Sequence, residues 1–132
     1  MGSEVVRIGM ALLLSVASCA VLAQDVASPS PPAQRVVGDG VTGTLLRHAQ
    51  FPSRHVAARN VDVWLPPGYD EAKDARYPVL YMHDGQNVFD PSTSYTRVDW
   101  GVDEAMTRLI GNGHVRAAII VAVWDTPKGL QV

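Results

Sequence analysis

A polar turn that contains glycine follows a short apolar segment near the middle of the chain. Residues 78–82 read PVLYM, and residues 83–87 then read HDGQN. Gly85 permits either a positive φ angle or a close approach of the backbone to another group. Backbone N–H groups in such a turn can bind an anion, and in acyl transfer they stabilise the developing oxyanion. The residue types alone favour an ordinary turn without chemistry, because Asp, Gly and Asn are common in turns.

The segments on either side of this turn predict a strand–helix–strand unit. Residues 79–82 and 117–124 are apolar runs, and the second is rich in β-branched residues, as in strands buried on both faces of a parallel sheet. Between them, apolar residues at helical spacing predict one buried helix face: Val102, Ala105, Met106, Leu109 and Ile110. Ligands of such sheets bind beyond the carboxyl ends of the strands, which is where residues 83–87 fall.

The ends of the predicted helix also carry signals. Asp99 is the expected N-cap, and Asp103 and Glu104 place negative charge near the N-terminus. Gly111 or Gly113 is expected to cap the C-terminus.

Two further strands are predicted before the turn. Residues 42–50 and 57–65 form an expected antiparallel hairpin at a sheet edge, with residues 51–54 as its turn. In the second strand, aliphatic residues alternate with polar residues and Trp64, which is a half-buried pattern. The predicted fold class is α/β, with an antiparallel edge hairpin followed by a βαβ unit in a mixed sheet.

The N-terminal region predicts export. Residues 8–23 are almost entirely apolar and end in small residues, so residues 1–23 are expected to be a cleaved signal peptide; a short membrane anchor or a buried helix is the alternative. Residues 24–35 are rich in Pro and Ser and predict an extended linker. The folded domain is then expected at residues 36–132, in the periplasm or outside the cell.

Cys19 is the only cysteine, so the chain can form no intrachain disulfide. Residues 16–19 resemble a bacterial lipobox, in which Cys19 would carry lipid and anchor the protein to a membrane. Alternatively, Cys19 is a small apolar residue of the signal peptide. The apolar run continues past it to Ala23, which favours the second interpretation.

Composition excludes some function classes. The net charge of the 132 residues is −2 and 18% of them are charged, which shows no basic surface for nucleic acid or membrane. No pair of residues has the H-E-x-x-H spacing of a zinc site, and no cofactor motif is present. The length suits a single domain.

Three segments in order, PPGYD, YPVLYMHDGQNVFD and WGVDEAMTRLI, resemble the putative-esterase family of α/β-hydrolases, which includes enterochelin-esterase-like and feruloyl-esterase-like enzymes. The resemblance covers residues 61–128, and HDGQN-x-FD is its most specific part. It implies the N-terminal portion of an α/β-hydrolase sheet and an exported carboxylic-ester hydrolase without a cofactor. The implied substrate is a small-molecule or carbohydrate-linked ester.

The resemblance also implies roles for residues of the turn. It places the backbone N–H of Gln86 as an oxyanion donor, with Gly85 and Asn87 as the donors if the match shifts by one residue. Asp84 stands where many hydrolases of this fold have Gly. We expect Asp84 to support the turn through hydrogen bonds from its side chain to the backbone.

The nucleophile that this chemistry requires is not found in the sequence. No G-x-S-x-G occurs, Ser92 and Ser94 fall in a loop, and His83 precedes any candidate serine. Residues 125–132 depart from the family pattern at Gly129 and Val132, so we expect a chain that is cut or frameshifted there. The nucleophile, acid and base are then absent, and the chain as given is expected to be inactive.

Two other functions are compatible with parts of the sequence. The first is a non-catalytic secreted or lipid-anchored protein that binds a partner through its open sheet. The second is a phosphoacceptor domain with Asp84 at a strand end, but residues 42–50 do not end in the acidic pair that it needs. A G-x-S-x-G encoded downstream of Val132 would discriminate the hydrolase from the binding protein.

Overall fold

The computed structural model describes residues 30–72 and 74–126. The predicted signal peptide, Cys19 and residues 127–132 lie outside this part of the chain. In chain order, the described elements are β1 (Gln34–Val36), β2 (Thr44–Phe51), β3 (Arg59–Leu65), β4 (Val79–Met82), a 3-10 turn (Gly85–Asn87), α1 (Val102–Gly111) and β5 (Ile119–Val123). Neither helical segment among them has the length and hydropathy needed to span a bilayer.

The five strands form one mixed sheet in the order β1-β2-β3-β5-β4. β2 pairs with β3 and β3 pairs with β5 in antiparallel fashion, whereas β4 pairs with β5 in parallel. The predicted hairpin and the predicted strand–helix–strand unit are therefore both confirmed. β5 lies in the interior of the sheet, and its carboxyl end meets that of β4 at one edge.

The hairpin does not lie at the sheet edge, and that prediction was wrong. β1 pairs antiparallel with β2, from Gln34 opposite Arg47 to Val36 opposite Leu45, and takes the outer position. Gln34 and Arg35 are exposed and only Val36 packs against the core, so β1 has no apolar alternation to reveal it. Its first two residues fall in the segment that the sequence predicts to be a linker.

One face of the sheet carries the hydrophobic core, which consists of fully buried residues from three strands and the segment after the 3-10 turn: Leu45, Trp64, Val88, Phe89, Ile120 and Ala122. α1 packs against this cluster through Val102, Met106 and Ile110, which are members of the predicted helix stripe. In β5 only Ile120 and Ala122 are fully buried, and the alternate residues are half-buried. The described residues thus cover one face of β5, although its apolar run suggests burial on both.

The alternation predicted for β3 is present, but its polar set is the more deeply buried. Asp62 and Trp64 are fully buried, whereas Val61, Val63 and Leu65 are half-buried. Trp64 satisfies its indole by donating from Nε1 to the Thr42 carbonyl at 2.8 Å. Asp62 can be buried because Arg47 of β2 and Trp124, which follows β5, donate hydrogen bonds to its carboxylate.

The N-cap predicted for α1 is wrong, whereas one of the two glycines predicted to cap its C-terminus is confirmed. Asp99 is not the N-cap; its Oδ2 accepts the Gly101 N–H at 3.0 Å, and Gly101 itself caps the helix in a left-handed conformation. At the other end Gly113 has a φ of 68°, and its N–H donates to the Ile110 carbonyl at 3.0 Å. The following N–H, from His114, reaches the Leu109 carbonyl at 2.9 Å, which completes a Schellman motif.

Candidate functional site

The turn after β4 is a single 3-10 turn, Gly85–Asn87, called the 85–87 turn below. Asp84 precedes it in a left-handed conformation, with φ 53° and ψ 42°. The Asn87 N–H donates to the Asp84 carbonyl at 2.8 Å, and the Val88 N–H donates to the Gly85 carbonyl at 3.3 Å. These two bonds close the turn at the carboxyl end of the parallel strand pair, where open α/β sheets bind ligands.

Asp84 does not support the turn in the way that the sequence suggests. Its carboxylate makes no capping hydrogen bond to the turn, and its side chain is exposed. The support comes from its backbone: the carbonyl accepts the Asn87 N–H, and Asp is among the few residues that adopt the left-handed conformation readily. An exposed carboxylate is consistent with a side chain directed away from the turn's N–H groups.

Gly85 is required by close packing and not by a positive φ angle. A Cβ at this position would lie 2.7 Å from Cδ1 of Trp124 and 2.8 Å from the carbonyl carbon and oxygen of Ala122. Real Cβ atoms do not approach other atoms so closely, and the Ala122 backbone cannot move without displacing β5. The turn therefore rests directly on the carboxyl end of β5.

Gln86 contributes its side chain as well as its backbone. The side chain is 4% exposed, and its Oε1 accepts the Asp125 N–H at 3.1 Å. Because this oxygen must face a donor, the buried group without a hydrogen-bond partner among the described residues is the amide nitrogen Nε2. No pattern in the sequence indicates this contact, because Asp125 is 39 positions further along the chain, after α1 and β5.

The backbone donors of the turn differ in availability. The Asn87 N–H is engaged by the Asp84 carbonyl. Among the hydrogen bonds within residues 30–72 and 74–126, none uses the N–H of Gly85 or Gln86. Two adjacent N–H groups of the turn therefore have no acceptor among the described residues.

Hydrogen bonds connect the loop at residues 88–101 to the same turn. The Asn87 carbonyl accepts the Trp100 N–H at 2.8 Å, and Asn87 Oδ1 accepts the Tyr95 N–H at 3.2 Å. The Thr93 hydroxyl donates to the Gln86 carbonyl at 2.8 Å. Ser94 is buried and donates from Oγ to the Val98 carbonyl at 2.6 Å, so this hydroxyl has a structural partner.

A partly buried ion pair lies close to the turn and was not predicted from the sequence. Arg47 and Asp62, opposite each other on β2 and β3, form two hydrogen bonds of 2.8 Å, from Nε to Oδ1 and from Nη2 to Oδ2. Asp62 Oδ2 also accepts the indole N–H of Trp124 at 2.9 Å. The Arg47 guanidinium stacks on that indole, 4.5 Å from the ring centroid.

Asp103 is another buried carboxylate among the described residues. It is fully buried at the start of α1, and its Oδ2 accepts the Thr42 N–H at 2.6 Å. The pKa of Asp103 is raised to about 7, mainly by burial and to a smaller extent by the neighbouring Glu104, while the hydrogen bond from Thr42 lowers it. This carboxyl is therefore protonated over much of the range in which ordinary aspartates are charged.

One group of acidic side chains in residues 30–72 and 74–126 could hold a metal ion. One carboxylate oxygen each from Asp99, Asp103 and Glu104 lie within 4.8 Å of one another. The group stands at a helix N-terminus, where the backbone dipole favours anions and opposes a cation. A proton on Asp103 accounts for the closeness of the carboxylates, so we assign no metal to this group.

Two clefts lined by described residues lie away from the 85–87 turn. One of them, of about 290 Å³, is lined by Tyr69, Asp70, Ala72, Ala75 and Arg76. The other, of about 230 Å³, lies between Gly43 and the loop after β3. Neither contains a residue of the turn, so in the described residues the two free N–H groups do not belong to either cleft.

Comparison with known proteins agrees with this geometry. A model of the putative esterase family matches residues 55–129, which is more than half of the chain. The matched region runs from just before β3 past β5, and so includes the 85–87 turn and α1. No curated protein matches the chain. The family implies that the mixed sheet is a portion of an α/β-hydrolase, and the resemblance seen in the sequence is confirmed: the chain belongs to the putative esterase family.

Proposed function

We propose that the chain is part of an exported carboxylic-ester hydrolase and that it supplies one donor of the oxyanion hole. Membership of the esterase family supports the ester substrate. The observation that carries the oxyanion role is the N–H of Gln86, which stands at the carboxyl end of β4 and is used by no hydrogen bond within the described residues. A preorganised backbone donor of this kind lowers the barrier of acyl transfer by about 3 kcal/mol.

The proposed chemistry is the attack of a serine Oγ on the ester carbonyl. Negative charge then develops on the carbonyl oxygen, and the Gln86 N–H donates to it. The Gly85 N–H is the neighbouring candidate, whereas the Asn87 N–H is held by the Asp84 carbonyl. Because the turn rests on the β5 backbone, the donor requires no rearrangement when the charge appears.

The serine, acid and base of this reaction have to come from polypeptide beyond these 132 residues. The sequence contains no G-x-S-x-G, and the buried Ser94 hydroxyl is engaged by the Val98 carbonyl. We therefore expect the 132-residue chain alone to hydrolyse p-nitrophenyl acetate no faster than buffer. Hydrolysis that a serine-directed phosphonate abolishes would contradict this proposal. Sequencing the gene past the last codon tests it directly, because the proposal requires an in-frame G-x-S-x-G.

The donor itself can be tested in a form of the protein that contains the serine. Replacement of the Gln86 residue by its α-hydroxy acid analogue removes the N–H and keeps the side chain. We expect kcat to fall about 100-fold or more with little change in KM, as for the loss of one oxyanion donor. The same replacement at Asn87 is the comparison, because that N–H already donates to the Asp84 carbonyl and cannot bind the oxyanion; it reports how much a weakened turn alone lowers kcat, and we expect that decrease to be smaller. An unchanged kcat for the Gln86 analogue would remove the proposed role.

A second candidate function is the binding of a partner by a chain that performs no catalysis. The observation that favours it is the outer strand β4, whose Val79, Leu80 and Tyr81 are 45%, 48% and 71% exposed. An exposed strand edge of this kind can pair with a strand of another protein. A gene without the serine motif, together with a stable complex that Leu80→Lys disrupts, would favour this candidate over the hydrolase.

Export is proposed from the apolar segment at residues 8–23. N-terminal sequencing and mass spectrometry of the protein from the cell envelope and the medium test it. Cleavage by an ordinary signal peptidase predicts a mature chain that begins at Gln24. A chain that begins at a lipid-modified Cys19 would instead establish membrane anchoring, and an uncleaved cytoplasmic chain would contradict export.

A further inference from the structure

We propose that Trp124 is a positioning residue for the 85–87 turn, and that the ion pair Arg47–Asp62 fixes the orientation of its indole. The functional consequence rests on the oxyanion role proposed above. The structural claim is separate: the shape of the turn depends on a side-chain network whose members lie on β2, β3 and the segment after β5.

Trp124 contacts the turn at Gly85. The indole Cδ1 occupies the space beside Gly85, since a Cβ on that glycine would lie only 2.7 Å away. The next residue, Asp125, donates its N–H to Gln86 Oε1. Trp124 and Asp125 thus contact Gly85 and Gln86, respectively. A shift of the Trp124 ring would therefore displace Gly85 directly.

Two contacts hold the indole of Trp124 in one orientation. Nε1 of Trp124 donates to Asp62 Oδ2 at 2.9 Å, which holds one edge of the ring. The Arg47 guanidinium lies over the ring face at 4.5 Å, a distance typical of cation–π contacts. Cδ1 is bonded directly to Nε1, so the hydrogen bond to Asp62 also holds Cδ1, and the guanidinium over the ring face keeps it in one position against Gly85.

The residue types of the ion pair suit the orientation of the indole. Asp62 is 1% exposed, and its two oxygens receive three hydrogen bonds, two from Arg47 and one from Trp124. Buried ion pairs contribute little net stability compared with apolar residues of similar size. What apolar residues could not provide at this place is an acceptor for the indole N–H and a cation over the ring. Orientation of Trp124 is therefore the property that requires these two residue types.

The test uses the 132-residue protein and solution NMR. In Trp124→Phe we expect the amide signals of Gly85 and Gln86 to shift, and the hydrogen-bonded amides of Asn87 and Asp125 to exchange about tenfold faster or more, because the turn loses its fixed neighbour. Trp64→Phe is the matched control, since it also removes an indole N–H bond, the one to the Thr42 carbonyl. At equal loss of stability, Trp64→Phe should change these four amides less than Trp124→Phe does. Equal changes in the two variants would overturn the proposal.

A double-mutant cycle separates positioning from a general weakening of the sheet. Asp62→Asn should move the same turn amides in the native background, because it weakens the hold on the indole. In the Trp124→Phe background the same substitution should have almost no further effect on them, since the path through the indole is already broken. Additive shifts would show that Asp62 acts on the turn by another route and would overturn the proposal.

The outcome is independent of the proposed esterase chemistry. The α-hydroxy acid replacement at Gln86 tests the oxyanion donor without altering Trp124, and the NMR cycle tests positioning without any catalysis. If the turn amides change in Trp124→Phe but kcat is unchanged after loss of the Gln86 N–H, the positioning network is retained and the oxyanion role is rejected. If the turn amides do not change in Trp124→Phe, the positioning network is rejected, whatever the value of kcat.

Discussion

Oε1 of Gln86 accepts the backbone N–H of Asp125 at 3.1 Å, which joins the turn after β4 to the segment after β5. Gln86 therefore combines a buried side chain that holds two parts of the chain together with a backbone N–H that has no partner among the described residues. The contact ties the placement of a candidate oxyanion donor to the carboxyl end of the neighbouring strand.

Substitution of Gly85 by Ala should destabilise the protein. The new Cβ would collide with Trp124 and with the Ala122 backbone, and overpacking of this kind costs about 1–3 kcal/mol. Urea unfolding measures the loss. Gly111→Ala is the matched control, because nothing lies within 4 Å of its Cβ position and its conformation is helical. That variant should be as stable as the native chain or more so; equal losses at the two sites would contradict the steric account.

Substitution of Gln86 by Leu should keep the buried volume and lose the hydrogen bond. The half-buried Asp125 N–H is then left without its acceptor, and loss of such a hydrogen bond costs about 1 kcal/mol. Hydrogen exchange of the Asp125 amide together with urea unfolding checks this. Gln34→Leu, at an exposed position of β1, is the control and should change stability by less than about 0.5 kcal/mol. An unchanged exchange rate at Asp125 would show that the bond is not formed in solution.

The stability of the protein should fall as pH rises from about 4 through about 7. Burial raises the pKa of Asp103 from 3.8 to about 7, so between these pH values the folded chain holds a proton that the unfolded chain releases. The state that binds more protons is favoured at low pH, and each unit of pKa difference corresponds to about 1.4 kcal/mol. Urea unfolding at pH 5 and at pH 8 measures the difference.

Asp103→Asn should remove this contribution to the pH dependence. The amide oxygen can still accept the Thr42 N–H, and its NH₂ group can replace the carboxyl proton beside Glu104. We expect the variant to be more stable than the native chain at pH 8 and similar to it at pH 5. Asp39→Asn, at an exposed position, is the control. A native pH dependence that persists in Asp103→Asn would assign the titration to another group.

Substitution of Thr93 by Val should loosen the loop over the turn. The Thr93 hydroxyl donates to the Gln86 carbonyl at 2.8 Å and is 3.0 Å from the Asp90 carbonyl. Loss of this donor should cost about 1 kcal/mol, with faster exchange of amides in residues 92–95. Thr96→Val is the comparison, because that hydroxyl is exposed and bonds within its own loop. A larger loss of stability in Thr96→Val would contradict the assignment of Thr93 as the anchor.

The elements that the sequence predicted are those encoded by local periodicity. The helix stripe that includes Met106 places α1 on the core, and the β-branched run that includes Ile120 forms β5 in parallel with β4. Gly113 was one of two expected caps because a left-handed residue commonly follows a helix. These features require only residues that are near one another along the chain.

The features that escaped prediction depend on distant partners. Asp62 is acceptable in the core only because Arg47 and Trp124 satisfy it, and Trp124 is 62 positions away. The side-chain role of Gln86 depends on Asp125, 39 positions away. The family resemblance pointed to the turn, yet no periodicity or motif shows which side chains will surround it.

The strand order has a consequence for the nascent protein. Within the described residues β4 pairs with β5 alone, and the 85–87 turn rests on Ala122 of that same strand. A ribosome releases β4 and the turn long before it releases β5, and pairing that joins distant segments forms late. A growing chain that stops short of Ile119 therefore carries every residue of the turn while it lacks the surface that shapes them.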